Sequence, residues 1–188
     1  MGSEQAPREL AKADQEKRWV AASSVLAAVL LTTLKLVVGL VTNSLGILSE
    51  AAHSGLDLVA AGMTFWAVRI SGQPADREHI YGHGKFENLS ALFETLLLLL
   101  TCVWITYEAF SRLFFQEEVQ VDPSLWAFLV VVVSMVVDFS RSRALKRTAA
   151  KYASQALEAD ALHFSTDIWS SGVVLVGLIG VWAGGALG

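Results

Sequence analysis

Five long apolar runs, separated by short polar connections, leave this sequence few ways to fold. They cover roughly 19–41, 45–70, 89–115, 125–144 and 156–187, and a helix needs about 20 predominantly apolar residues to cross the hydrocarbon core of a bilayer. Each run is near or above that length. With 54% of its 188 residues hydrophobic and 17% charged, the chain is more apolar than a soluble domain of this size usually is. The runs are continuous, unlike the alternating stretches of about 10 residues that build a transmembrane β-barrel. The three prolines, Pro7, Pro74 and Pro123, fall outside the runs, as helical segments require. Asp122-Pro123 reads as an N-cap followed by proline in the first turn of the fourth helix. The expected fold class is an all-α integral membrane protein, a bundle of five transmembrane helices.

The first 18 residues are polar and mixed in charge. They do not form a signal peptide, because the apolar run that follows is too long and is itself followed by further spans. The reading is a cytoplasmic N-terminal segment over 1–18 and a transmembrane domain over 19–188. Basic residues in short connections mark the cytoplasmic side. Arg69, Arg77 and Lys85 are assigned to the second-to-third connection, and Arg141, Arg143, Lys146, Arg147 and Lys151 to the fourth-to-fifth. The first-to-second connection has no basic residue, and the third-to-fourth has Arg112 beside Glu117, Glu118 and Asp122. The N-terminus is therefore expected inside and Gly188 on the far side. A net charge of -4 spread over two aqueous faces points to no nucleic-acid partner. The single cysteine, Cys102, supports neither a disulfide framework nor a cysteine-based zinc site.

Charged groups in mid-span cost at least about 2.5 to 3.5 kcal/mol each on insertion scales, so those that persist are functional candidates. Asp57 lies about twelve residues from either end of its run, near the bilayer midplane at 1.5 Å per residue. His53 precedes it by four residues and shares its helical face. The fifth run repeats the arrangement with His163 and Asp167. Brought together, two imidazoles and two carboxylates offer the four-coordinate nitrogen and oxygen set that Zn²⁺ accepts. With neutral histidines the set carries two negative charges, which a divalent cation cancels. The lack of soft ligands argues against Cu(I), and the lack of an all-oxygen set against Mg²⁺ or Ca²⁺. The plainer alternative is a pair of structural His-Asp hydrogen bonds between helices.

Other polar residues carry weaker expectations. Glu50 and Asp160, each three residues ahead of a histidine, either orient the imidazoles or face water. Lys35 snorkels or pairs with an acidic neighbour, and Glu94, Glu108 and Asp138 line water or sit at helix ends. Trp66, Trp104, Trp126, Trp169 and Trp182 read as interfacial anchors or packing residues.

The stretches NSLGILSEAAHSGLDL, QPADREHIYGHGKFENLSAL and ALEADALHFSTDIWSSG, in this order, resemble the cation diffusion facilitator family of metal transporters. The resemblance implies a six-span protomer that forms a homodimer, exchanges a cytoplasmic divalent metal for H⁺ and alternates between inward-open and outward-open states. It implies that His53, Asp57, His163 and Asp167 form the transport site, and histidine at position 53 is similar to the zinc-selective branch. It also implies that Asp76, His79 and His83 form a second metal site in the cytoplasmic loop, and that Lys85 takes part in charge contacts near the dimer interface. By spacing alone, His79 and His83 could share a helical face, with Asp76 reaching round from the loop, and the plainer alternative is an exposed, charged loop that holds no metal. The five runs match a truncated form of that architecture, with the sixth span and the C-terminal cytoplasmic domain absent. A member of the family would be a secondary active transporter of Zn²⁺ and no enzyme, set in the lipid bilayer of the plasma membrane, the inner membrane in a prokaryote.

Proton exchange also follows from the residues, since histidine titrates at about 6.5 when unperturbed and binds zinc only when neutral. Competing functions are a membrane metalloenzyme, a non-transporting metal-binding scaffold, and a transporter of Fe²⁺, Mn²⁺, Co²⁺ or Cd²⁺. The first is disfavoured by the absence of His-Glu-x-x-His and by a total of four histidines.

Overall fold

Each apolar run is part of a longer helix. The structure, a computed structural model, describes residues 5–115 and 125–187. It contains α1 (Gln5–Thr42), α2 (Leu45–Ser71), α3 (Lys85–Phe115), α4 (Leu125–Tyr152) and α5 (Gln155–Leu187), with no strand among the described residues. Glu117, Glu118, the Asp122-Pro123 cap and the side chains of Glu108, Arg112 and Trp182 lie outside the described set. By length and composition, Arg8–Thr42, Lys85–Tyr107 and Leu125–Tyr152 are apolar enough to cross a membrane. α2 and α5 are 27 and 33 residues long and carry the mid-span histidines and aspartates.

The extra helical turns correct the reading of two connections. Good helix formers such as Ala, Lys, Arg, Leu and Glu continue a helix beyond its apolar stretch. α1 therefore begins at Gln5, with Pro7 in its first turn, where a missing N–H is tolerated. α4 continues to Tyr152, so Arg141, Arg143, Lys146, Arg147 and Lys151 are helical rather than in a connection. Arg69 likewise belongs to the last turn of α2 and Lys85 opens α3.

Two tight turns join the helices into antiparallel hairpins. Asn43 (φ 50°) and Ala153 (φ 49°) take the left-handed conformation that ends a helix. Ser44 then caps α2 by accepting the Ile47 N–H at 3.5 Å. Gly39 lets α1 approach the start of α2, since a Cβ there would lie 2.8 Å from Leu48 Cδ2 and 3.1 Å from Leu48 N. Small residues at such crossings allow close packing where lipid removes the usual hydrophobic drive.

α1 pairs most closely with α2 and α4 with α5, while α3 lies against α5 and α2. The core joins Ala21, Val68, Leu145, Ala149, Ala156, Leu157, Ala161 and Phe164 from four helices. One charged end of the bundle is drawn together by Glu87, which is 3.1 Å from Lys17 Nζ and accepts hydrogen bonds from Ser71 Oγ (2.8 Å) and Ser154 Oγ (2.5 Å). Lys151 Nζ meets Glu16 at 2.7 Å at the same end. The outer surface carries Leu26, Leu30, Leu92, Leu99 and Val136, with Trp66, Trp104, Trp126 and Trp169 also exposed. That distribution is what lipid as solvent permits.

Candidate metal centre

Helical periodicity puts Glu50, His53 and Asp57 along one face of α2, and Asp160, His163 and Asp167 along one face of α5. The bundle turns these faces toward each other. His163 Nε2 lies 3.1 Å from Asp57 Oδ1 and 3.5 Å from Asp167 Oδ2. His53 Nε2 lies 3.9 Å from Asp57 Oδ1 and 3.9 Å from Asp167 Oδ1. The four residues close a ring in which imidazole and carboxylate alternate, so each carboxylate touches one histidine of its own helix and one of the other. Ligands about 2.0 to 2.2 Å from a tetrahedral zinc stand roughly 3.3 to 3.6 Å apart. The four imidazole–carboxylate separations, 3.1 to 3.9 Å, are near that spacing, with those to His53 the longest.

The His163 side chain is 7% exposed and those of Asp57 and Asp167 are 13% and 14%, while that of His53 is 36%. Access to the ring is therefore from the His53 side. His163 Nδ1 and Asp167 Oδ2 are buried and have no hydrogen-bond partner. Unsatisfied donors and acceptors in a dry interior are costly, and a cation accepting Asp167 would remove one of them. Phe164 meets the His163 ring edge-on with centroids 5.4 Å apart, which restricts the imidazole plane.

The neighbouring polar residues resolve as follows. Lys35 is buried in α1 and gives hydrogen bonds to Ser54 Oγ (2.7 Å) and Glu50 Oε2 (3.2 Å). Glu50 is thus paired, and its side chain is 46% exposed. Asp160 is fully buried and faces no water; its Oδ2 accepts from Ser24 Oγ at 3.3 Å and its Oδ1 has no partner. Glu94 does not line water or sit at a helix end, because α3 places it in the core with Thr64 Oγ1 donating to its Oε1. Asp138 pairs with Arg141 at 3.1 Å.

Arg141 is the residue that reading the sequence missed. Assigned to a connection, it is in fact buried. Its Nε and Nη2 donate to Ser24 Oγ at 3.3 and 3.1 Å, and its guanidinium covers Phe164 at 3.6 Å from the ring centroid. The signal available in the sequence was the i,i+3 spacing of Asp138 and Arg141.

A second cluster occupies the connection between α2 and α3. Asp76 Oδ1 lies 3.3 Å from His79 Nδ1, and Asp76 Oδ2 lies 3.4 Å from His83 Nε2. The two histidines do not share a helical face. The His79 carbonyl accepts the Gly82 N–H at 2.9 Å, and Gly82 (φ 79°) turns the chain so that the imidazoles stand 4.4 Å apart. Backbone donation from His79 (2.6 Å), joined by Glu78 (2.9 Å) and the His79 ring, holds the exposed Asp76 carboxyl below its ordinary value.

Among the described residues, two groups have ligand atoms all within 4.8 Å of one another: Asp76 with His79 and His83, and His53 with Asp57 and Asp167, which His163 joins through its contacts with the two carboxylates.

Comparison with known proteins bears on the family. The model of the cation efflux transmembrane domain matches residues 21–187. A cation-efflux pump FieF of Yersinia enterocolitica is 34% identical over 164 residues, covering 86% of this chain and 53% of that protein. An uncharacterized transporter of Methanocaldococcus jannaschii is 33% identical over 168 residues, covering 87% and 59%. The FieF of a Yersinia pestis strain is 34% identical over 175 residues, covering 90% and 57%. The chain thus spans between half and two thirds of the length of these relatives.

Proposed function

Starting from the fact that this chain belongs to the family of cation efflux transmembrane domains, we propose that it moves zinc out of the cytoplasm in exchange for protons, through the ring formed by His53, Asp57, His163 and Asp167. The family makes it a membrane transporter domain rather than a catalytic enzyme. The observation that carries the finer reading is the ring itself. Two imidazoles and two carboxylates, contributed pairwise by α2 and α5, meet at 3.1 to 3.9 Å inside the bundle. Zinc takes such a mixed set in tetrahedral geometry, and its two charges match the two carboxylates.

Transport follows from placing the donors on two helices that are not each other's main packing partners. α2 is held chiefly by α1, and α5 by α4. A relative movement of these pairs opens the ring on one side or the other while leaving each His-Asp pair intact on its own helix. Cation entry requires neutral imidazoles and so expels any proton they hold, and protons arriving from the opposite side weaken the site and release the cation. The clustered basic residues at the Glu87 end support a cytoplasmic position for that end and for the N-terminus. In this reading the transporter works as a homodimer in the plasma membrane, the inner membrane in a prokaryote.

The test is cation uptake into proteoliposomes containing the chain, with Zn²⁺, Cd²⁺, Mn²⁺ and Fe²⁺ compared. Zn²⁺ flux is expected to exceed the others and to rise when a proton gradient is imposed against it. Tight Zn²⁺ binding with no flux would make the ring a structural staple, and flux indifferent to the gradient would exclude proton exchange.

The Asp76, His79 and His83 cluster is a second zinc site in this reading. Replacing His79 and His83 together by alanine is expected to remove one equivalent of bound Zn²⁺ per chain and to leave central flux within about twofold. Unchanged stoichiometry at neutral pH would show that the loop holds no cation.

A further inference from the structure

Lys35 brings a positive charge to the edge of a site built to hold cations. Its ammonium is buried on α1 and reaches across to α2, where it binds Ser54, the neighbour of His53, and Glu50, one helical turn from His53. The Thr32 hydroxyl reinforces this crossing by donating to the Ser54 carbonyl at 2.9 Å. Glu50 itself is half-exposed on the side from which the ring is reached, on the same face of α2 as His53 and Asp57. It is a third carboxylate at the mouth of a two-carboxylate centre. A third carboxylate free to join the cation would change the charge balance from neutral to minus one and add an oxygen donor. Affinity would rise and release would slow.

We infer that Lys35 sets the affinity of the central site by occupying Glu50, which keeps a third carboxylate out of the coordination sphere and allows the cation to leave. The inference rests on the transport reading given above. Lysine is suited to this role because its three N–H donors are compact and bind a hydroxyl and a carboxylate together. Ser54 holds the ammonium at 2.7 Å even if Glu50 swings toward water. Lys35 is the buried partner of the pair and Glu50 the half-exposed one, so the ammonium is the fixed charge.

The consequence opposes the usual expectation for loss of a buried contact. Removing Lys35 tightens cation binding. The experiment compares the parent chain, Lys35→Met and Lys35→Met/Glu50→Gln in lipid nanodiscs and proteoliposomes, all carrying His79→Ala and His83→Ala so that the loop does not report. Direct Zn²⁺ titration gives Kd, and flux gives turnover. Lys35→Met is expected to lower Kd by about tenfold or more and to reduce maximal flux. The double variant should return both toward the parent, although it lacks the same Lys35 contacts to Ser54.

A Lys35→Met chain that binds Zn²⁺ no more tightly than the parent overturns the inference. So does a double variant that behaves like the single one, because Lys35 would then act as a structural tie between α1 and α2. If the parent chain itself neither binds nor carries any of the four cations, the transport reading fails first. If the parent transports and Lys35→Met does not tighten binding, only the role of Lys35 fails.

Discussion

Changing Asp57 to asparagine is expected to reduce Zn²⁺ flux by at least about a hundredfold, a loss equivalent to about 2.7 kcal/mol of cation stabilisation. Asp57 is the bridge of the ring, touching His163 of the opposite helix at 3.1 Å and His53 of its own at 3.9 Å. The amide keeps the size and one acceptor oxygen but removes a negative charge. The site then offers minus one to a cation of plus two, and the uncancelled charge must be carried inside a bundle where water is scarce. The helical content and the amount of protein in the membrane should be unchanged, because asparagine fits the same space and forms comparable hydrogen bonds. His163→Ala should match it in effect, since His163 touches both carboxylates. Proteoliposomes in which either variant retained full flux would remove the ring from the transport path.

The centre was legible in the sequence because spacing within one helix is a rigid constraint. Residues four apart share a face, so His53 with Asp57 and His163 with Asp167 could be paired without a structure. That α2 and α5 turn these faces toward each other was an expectation from charge and ligand number, not from periodicity. The helix count was equally readable, while helix ends were not. Apolar runs mark where lipid lies, and α1 and α4 continue as charged helices past that boundary. The loop cluster was misjudged in geometry because an i,i+4 spacing suggests a helix. The glycines on either side of His83 were the available warning of a turn. Glu94 and Asp160 were named, but a lone acidic residue in an apolar run does not reveal its partner. Thr64 and Ser24, which supply the hydrogen bonds, come from other helices.

Arg141 tests whether the bundle depends on an internal cation of its own. Its guanidinium donates to Ser24 and Asp138 and lies over Phe164, the largest fully buried side chain. Ser24 in turn donates to Asp160, so one arginine serves the two carboxylates, directly at Asp138 and through a hydroxyl at Asp160. No described hydrogen bond or ion pair joins Arg141 to His53, Asp57, His163 or Asp167, so its direct polar contacts lie outside the ring. Replacement by methionine preserves much of the volume and removes the charge. Two buried or part-buried carboxylates are then left without a cation, and breaking such a network by removing one partner costs about 3 to 5 kcal/mol. For a chain of this size that corresponds to a fall in Tm of roughly 6 to 20 °C. Arg141→Met/Asp138→Leu should recover part of the loss, since an apolar pair of similar volume replaces a charged one. Thermal unfolding in detergent, with Zn²⁺ absent, measures both. An unchanged Tm for Arg141→Met would mean that water or protons, rather than the guanidinium, balance Asp138 and Asp160, and recovery in the double variant would be the mark of a counter-charge whose work is structural.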